Sequence, residues 1–224
     1  MNVAEELVSR IPSASRLTYS DLLAASALSE ARVVDSELLG FVGPSLRLLE
    51  EVGHDGIPLS AITGPGSGET PAGRSVREQL VTSVILRVDN GRLTRTPVGQ
   101  AVSDLPEADR PLRLWRHLAA TLPNAAHEIS ADGVTLLLLV IAADAYGPDY
   151  QDAISAGLAA LGWRTTEGDT LDKWDAFEAV VGPFRFLSHA GAVASVDGTA
   201  PCATPVGIAF AREALRVEAA SART

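Results

Sequence analysis

The longest apolar run in the chain covers residues 134–143, VTLLLLVIAA, and Thr135 is its only polar side chain. A run without a polar stripe is typical of a helix that is buried on all sides. We therefore expect Leu136–Ile141 at the centre of a hydrophobic core. The run is about half as long as a membrane span, so it predicts a core helix and no transmembrane segment.

Downstream of this run, helical spacing of apolar residues predicts two more helices. The first covers residues 150–161 and ends at Gly162. The second ends at Gly182 and Pro183, which are typical of a turn, and the short helix PFRFLSHA follows. This pair predicts a helix-turn-helix. The apolar face of the longer helix is expected to consist of Leu171, Trp174, Phe177 and Val181.

The first half of the chain has a less regular pattern. Residues 1–44 predict two or three helices, SLRLLEEVG predicts a further helix, and GIPLS predicts a short strand. The glycine-rich stretch Gly64–Thr70, GPGSGET, stands where the second half has a helix, and it predicts a loop. It does not match a phosphate-binding loop, because Glu69 stands where that loop needs lysine and a carboxylate repels phosphate. We expect no nucleotide there.

The tetrapeptide TPVG occurs twice, at Thr96–Gly99 and Thr204–Gly207, 108 residues apart. In each copy the pattern predicts a helix, a β-hairpin whose turn contains Asp and Gly, and a second helix. The Thr of TPVG is the expected cap of that second helix, and its Pro is the expected first residue. The sequence thus predicts an internal repeat without gaps. Aligned pairs at this offset are Val88 with Val196, Asp89 with Asp197 and Arg77 with Arg185.

The predicted order of helix, short strand, two helices and hairpin resembles the winged-helix superfamily over residues 45–220. The blocks GRLTRTPVGQAV, LWRHLA and LGWR are also similar to blocks of an uncharacterised bacterial family. The resemblance implies a fold and carries no known catalytic residues. We expect an α+β fold, mostly α, with two winged-helix-like units that have short β-hairpin wings. The expected division is an N-terminal helical segment (1–44), a first, degenerate winged-helix unit (45–108) and a second winged-helix unit with extra helices (109–224).

Charge narrows the possible partners. The 224 residues carry a formal net charge of -10, which argues against a general affinity for nucleic acid or anionic membranes. Residues 75–124 differ, with 7 basic and 5 acidic side chains and a net charge of +2. Cys202 is the only cysteine, which excludes an intrachain disulfide, and the first residues lack the pattern of a signal peptide. We expect a cytoplasmic protein.

The candidate binding residues are arginines of this middle stretch. On a first wing they would contact DNA phosphates or another anion. Alternatively, they are solvated cations that balance an acidic chain. Arg113 and Arg116 are three residues apart, so they share a helix face. The full set of possible anion or nucleic-acid contacts is Arg77, Arg87, Arg92, Arg95, Arg113 and Arg116.

No sequence pattern indicates catalysis. The 4 histidines lack metal-binding spacing, and no G-x-S-x-G motif occurs. We expect no catalytic residue, no metal and no cofactor. The leading hypothesis is a non-catalytic protein-interaction or scaffolding module that binds another protein or a second copy of itself. The alternative is a DNA-binding transcriptional regulator that uses the first wing. The second copy argues against DNA, because PFRFLSHA is largely apolar and its wing has no basic residue.

Overall fold

The computed structural model describes residues 2–28, 33–64, 67–124, 127–194 and 201–216. Within these ranges the fold is α+β and mostly α, which confirms the predicted class. The helices are α1 (Val3–Arg10), α2 (Ser13–Leu28), α3 (Asp35–Val52), α4 (Leu59–Thr63), α5 (Pro71–Thr82), α6 (Pro97–Ser103), α7 (Arg110–Thr121), α8 (Glu128–Ala142), α9 (Tyr150–Ala160), α10 (Lys173–His189) and α11 (Pro205–Leu215). The strands are β1 (Ile57–Pro58), β2 (Leu86–Asp89), β3 (Arg92–Arg95), β4 (Val193–Ala194) and β5 (Cys202–Ala203).

The chain divides into two compact units, and both are discontinuous in sequence. Unit 1 combines Met1–Val33, Ala119–Val181 and Gly191–Thr224, and unit 2 combines Val34–Leu118 with Gly182–Ala190. These units differ from the contiguous segments expected at 1–44, 45–108 and 109–224. Periodicity shows which residues form a helix but not which elements that helix packs against. A unit that resumes late in the chain therefore leaves no local signal.

Unit 2 contains a three-stranded antiparallel sheet in the order β1-β3-β2. Asn90 and Gly91 form the two-residue turn between β2 and β3, with φ values of 49° and 73°. Positive φ at both turn residues is what a tight hairpin requires and what Asn-Gly predicts. Phe41 of α3 meets Trp115 edge-on, with ring centroids 5.0 Å apart. The largest fully buried side chains of this unit are Phe41, Leu49, Leu80, Ile85, Leu86, Leu93, Leu114, Leu118 and Phe186.

The glycine-rich stretch connects two helices of unit 2. The described residues of this stretch, 64 and 67–70, are not helical, as predicted. Helix α4 lies directly before them, so the expectation that this unit lacks a helix here is wrong. A helix of 5 residues is too short to leave a periodic pattern in the sequence. Thr70 then caps α5, because its hydroxyl oxygen accepts a hydrogen bond from the Gly73 N–H at 3.0 Å.

Unit 1 has α8 as its central helix. Every side chain from Leu136 to Ile141 is at most 3% exposed, which confirms the predicted core. Helices α1, α2, α9 and α11 all contact α8. Gly157 of α9 lets that helix approach closely, because a Cβ there would lie 2.7 Å from a methyl group of Leu136. The Tyr19 hydroxyl donates a hydrogen bond to the carbonyl oxygen of Ala153, with 2.9 Å between the two oxygen atoms.

A buried carboxylate in unit 1 was not indicated by the sequence. Asp132 of α8 is 5% exposed. Its two oxygens accept a bidentate pair of hydrogen bonds from the Arg10 guanidinium at 2.9 and 2.8 Å. The indole N–H of Trp163 donates to the same carboxylate at 2.9 Å. Three charge-assisted bonds thus tie α1 and the segment after α9 to the central helix.

Helix α10 contradicts the predicted helix-turn-helix. It runs without interruption from Lys173 to His189 through Gly182 and Pro183, so the turn expected there is absent. A proline inside a helix removes one backbone hydrogen bond and crowds the preceding turn, yet α10 continues through Pro183. Ala176, Val180 and Leu187 occupy one face at helical spacing, and each is at most 1% exposed. Their burial continues across the proline and outweighs the lost bond.

The two TPVG segments have matching local geometry. The Thr96 hydroxyl oxygen accepts a hydrogen bond from the Gly99 N–H at 3.2 Å, and that of Thr204 accepts one from the Gly207 N–H at 3.1 Å. Each threonine caps a helix that begins with the following proline, as predicted.

The ungapped offset of 108 residues does not extend back through the hairpins. The Thr96 N–H donates to the Ile85 carbonyl, and the Thr204 N–H donates to the Ala192 carbonyl, both at 3.0 Å. Ile85 and Ala192 are 107 residues apart, so the first strands are offset by one residue less than the helices that follow. A one-residue difference within the hairpins accounts for the change.

This change of offset alters the predicted pairs. At a separation of 107, Arg77 corresponds to Phe184, so its predicted match with Arg185 is wrong. Leu80 and Leu187 correspond instead, and both are buried at 0% and 1% exposure. Val196 and Asp197 lie outside the described residues, so their alignment with Val88 and Asp89 stays a prediction.

Candidate anion-binding surface

The hairpin of unit 2 separates the predicted arginines onto two faces. Opposite residues of the ladder are Leu86 with Arg95, Arg87 with Thr94, Val88 with Leu93 and Asp89 with Arg92. Because side chains alternate along a strand and opposite residues share a face, Arg87 and Arg92 lie on one face. Arg95 lies on the other face, with buried Leu86 and Leu93. The three hairpin arginines therefore do not form one cluster.

Arg95 supports the end of α3. Its Nε and Nη2 atoms donate to the Leu49 carbonyl oxygen at 3.0 and 2.8 Å. That carbonyl belongs to the last turn of α3, where backbone acceptors lack partners within the helix. Burial is the main cause that lowers the pKa of Arg95. This guanidinium is therefore a structural cap and is not presented to a ligand.

Arg92 is exposed at the surface but also bonds to the chain itself. Its Nη2 donates to the carbonyl oxygens of Asp55 and Gly56 at 3.2 and 2.8 Å. Asp89 lies directly opposite it in the ladder, so a negative charge accompanies the guanidinium. These contacts hold the segment before β1 against the hairpin and reduce the attraction of Arg92 for an external anion.

Arg77 is paired with Glu69, the residue that stands where a phosphate loop needs lysine. The Nε and Nη2 atoms of Arg77 donate to the two Glu69 oxygens at 2.8 and 3.4 Å. The two side chains are only 14% and 7% exposed. Arg74 lies 3.7 Å from the same carboxylate. Glu69 thus anchors the glycine-rich loop to α5, and Arg77 does not face solvent as a free cation.

The remaining candidates are exposed. Arg87 makes a long contact of 3.4 Å with the Thr94 hydroxyl, and both are at the surface. Arg113 and Arg116 lie on the exposed side of α7, while Leu114 and Trp115 are buried on its other side. The shared face predicted for Arg113 and Arg116 follows from their place in one continuous helix.

A groove of about 420 Å³ lies in unit 2 between α3, α4, the glycine-rich loop and α5. Apolar side chains line it together with Arg47, Glu51, Glu69 and His189. Sequence reasoning missed this groove because its walls come from separate elements. Two carboxylates in the lining disfavour phosphate, in keeping with the exclusion of a nucleotide from the loop sequence.

The most exposed large apolar side chain of the described residues lies in unit 1. Trp174, near the start of α10, is 61% exposed, although its spacing predicted a place on the buried face. The buried face of α10 passes instead through Ala176 and Val180. The Asp172 carboxylate accepts hydrogen bonds from the backbone N–H groups of Trp174 and Asp175 at 2.7 and 2.9 Å. These two hydrogen bonds fix the start of α10.

Comparison with known proteins identifies no relative. No protein-family model, curated protein or solved structure matches the chain significantly. Among the described residues, no group of three or more His, Cys, Asp or Glu side chains is arranged to hold a metal ion. Within the same part of the chain, none of the helices combines the length and apolar character that a bilayer crossing requires.

Proposed function

We propose that the chain is a non-catalytic, cytoplasmic protein-interaction or scaffolding module whose unit 2 has a winged-helix fold. The element order of unit 2 supports this fold: helix α3, strand β1, helices α4 and α5, and hairpin β2–β3. The sheet order β1-β3-β2 places the hairpin against the first strand, as a wing requires. The matching caps at Thr96 and Thr204 support a tandem repeat, with the second copy lacking the helix-turn-helix.

The observation that carries the proposal is the engagement of the candidate arginines by oxygen atoms of the chain. Arg77, Arg92 and Arg95 all bond to a carboxylate or to backbone carbonyls. A wing that holds DNA needs guanidinium groups that face phosphates. Unit 1 adds a long-range obstacle, because its 8 basic and 17 acidic residues give a net charge of -9.

Trp174 is the proposed contact with a protein partner. Tryptophan is enriched among the few residues that dominate the affinity of protein interfaces. Its neighbours Asp172, Asp175 and Glu178 are acidic, so the partner that fits this surface is a protein with a basic patch. The Lys173 ammonium already lies 5.8 Å from the Trp174 ring centroid, which shows that a cation can approach this indole.

The test is capture of a partner by the immobilised full chain from a nuclease-treated extract of its native cells. We expect a basic protein that is retained by the wild type and lost with Trp174→Ala. Leu112→Ala is the matched control, because Leu112 is another exposed apolar residue, 44% exposed, in unit 2. Equal retention by the Trp174 variant, or no retained protein, contradicts the proposal.

A DNA-binding regulator is the second candidate, and one observation favours it. Unit 2 has 10 basic and 11 acidic residues, so its net charge is only -1, and Arg87, Arg113 and Arg116 are exposed there. Three phosphate contacts would give a slope of about -3 in log K against log salt. We expect no binding of labelled duplex DNA at low salt. Saturable binding with that slope, lost when these three arginines become Glu, would favour the regulator.

A further inference from the structure

Strand β2 is the outer strand of the sheet in unit 2 and has a free edge. The sheet order is β1-β3-β2, so within the described residues β2 pairs on one side only. Arg87, Val88 and Asp89 are all exposed, and Val88 is an apolar side chain with 47% exposure. Free edges are usually blocked by proline, a bulge or charged side chains. Strand β2 has no proline and no bulge, and its two charged residues, Arg87 and Asp89, are opposite in sign.

The backbone of Val88 points to this free edge. The Thr96 N–H donates to the Ile85 carbonyl, so Ile85 bonds towards β3. Bonding direction alternates along an antiparallel strand, so Arg87 and Asp89 also bond towards β3. The N–H and C=O groups of Leu86 and Val88 then point the other way, away from the sheet. Leu86 is only 1% exposed, so Val88 is the residue that presents these groups at the surface.

We propose that β2 pairs antiparallel with β2 of a second copy of this chain, across a twofold axis at Val88. In that register the two Val88 residues exchange both of their outward backbone hydrogen bonds. Arg87 of each copy lies opposite Asp89 of the other, as a close pair without backbone bonds between them. The strand sequence Arg-Val-Asp is therefore self-complementary, as an isologous interface requires.

Other registers are disfavoured by the same geometry. A twofold axis at Arg87 would place two guanidinium groups opposite each other, and an axis at Asp89 would do the same with two carboxylates. In the register with its axis at Arg87, the outward backbone bonds would also need Leu86, which is only 1% exposed. The axis at Val88 places apolar side chains and opposite charges across from each other, and its central backbone bonds come from the exposed Val88.

The expected dimer is weak and reversible. Three paired residues on each copy, Arg87 to Asp89, bury less than the roughly 1,200 Å² of a stable interface. The proposal goes beyond the protein-interaction function, because Trp174 belongs to unit 1 and has no part in this pairing. A variant that removes the β2 pairing therefore keeps the Trp174 surface, and a Trp174 variant keeps the β2 edge, so the two proposals can fail independently.

The test is sedimentation of the full chain over a range of concentrations. We expect a concentration-dependent dimer for the wild type. Arg87→Asp places two carboxylates opposite each other at both ends of the pairing, and Asp89→Arg does the same with two guanidinium groups. Each variant should weaken the dimer by about tenfold or more. An equal mixture of the two single variants should restore association, because a strand with two carboxylates then faces a strand with two guanidinium groups.

A second pair of variants addresses the backbone. Val88→Pro removes an N–H that points to the free edge, and it removes no bond of the hairpin. It should abolish the dimer, while Val88→Thr keeps the N–H and should retain it. Far-UV circular dichroism checks the fold of each variant. A wild type that stays monomeric, single charge reversals that leave the dimer intact, or a mixture that fails to associate would each overturn the proposal.

Discussion

The buried carboxylate of Asp132 provides the sharpest test of how unit 1 is held together. Replacing it with alanine removes the common acceptor of three hydrogen bonds from Arg10 and Trp163. A hydrogen bond to a charged group contributes about 1.5–3 kcal/mol. The Arg10 side chain is 45% exposed, so water can partly replace its two hydrogen bonds. Their contribution to the free energy of unfolding is therefore smaller than that of fully buried bonds. We expect Asp132→Ala to lower the free energy of unfolding by about 3 kcal/mol.

The assay is urea unfolding followed by far-UV circular dichroism. Arg10→Ala should cost about 1 kcal/mol, because the carboxylate keeps its bond to Trp163. The double variant should cost clearly less than the sum of the single variants, since both changes remove the same contact. Two results would contradict the proposed link that Asp132 makes between α1, α8 and the segment after α9. One is full additivity of the two single variants, and the other is a loss of no more than about 0.5 kcal/mol for Asp132→Ala.

The remaining predictions concern backbone strain, close packing and pH. Val84 has φ of 58°, so Val84→Gly should raise the melting temperature by relieving a strain of about 1 kcal/mol, whereas Gly191→Ala, at φ of 83°, should lower it. Gly99→Ala should cost about 2–3 kcal/mol in urea unfolding, because its Cβ would overlap the Ile85 carbonyl oxygen. Burial raises the pKa of Tyr19 to about 12 from 10.0. The folded state keeps the phenol neutral, so the free energy of unfolding should fall as pH rises from 10 towards 12. Tyr19→Phe should reduce that fall, and thermal unfolding at several pH values is the measurement.

Local patterns in the sequence predicted those parts of the fold that local chemistry determines. The apolar run of α8 required burial on every side, and Asn90-Gly91 required a tight hairpin. Thr96 and Thr204 are caps because a hydroxyl followed by proline suits a helix start. In each case the residues that decide the structure are neighbours in the chain.

Long-range packing decided the parts that could not be predicted. Gly182 and Pro183 look like a turn, but buried residues on both sides of them share one helix face, so α10 continues. The partners of Arg95 and Arg92 are backbone carbonyls at least 36 residues away. Every residue has a backbone carbonyl, so residue type does not show which one accepts such a bond. The sequence therefore identified six arginines as candidates but not the separate contacts that the structure gives each of them.

The proposed function depends on a protein contact at Trp174, and photo-crosslinking in the native cell tests that contact most directly. The crosslinking amino acid is placed at Glu178, which is exposed and lies one helical turn from Trp174 on the same face of α10. A chain with the same crosslinker and Trp174→Ala is the matched control. We expect a crosslinked polypeptide that is lost in the control. Crosslinks to nucleic acid, or a polypeptide adduct that is unchanged without the indole, would contradict it.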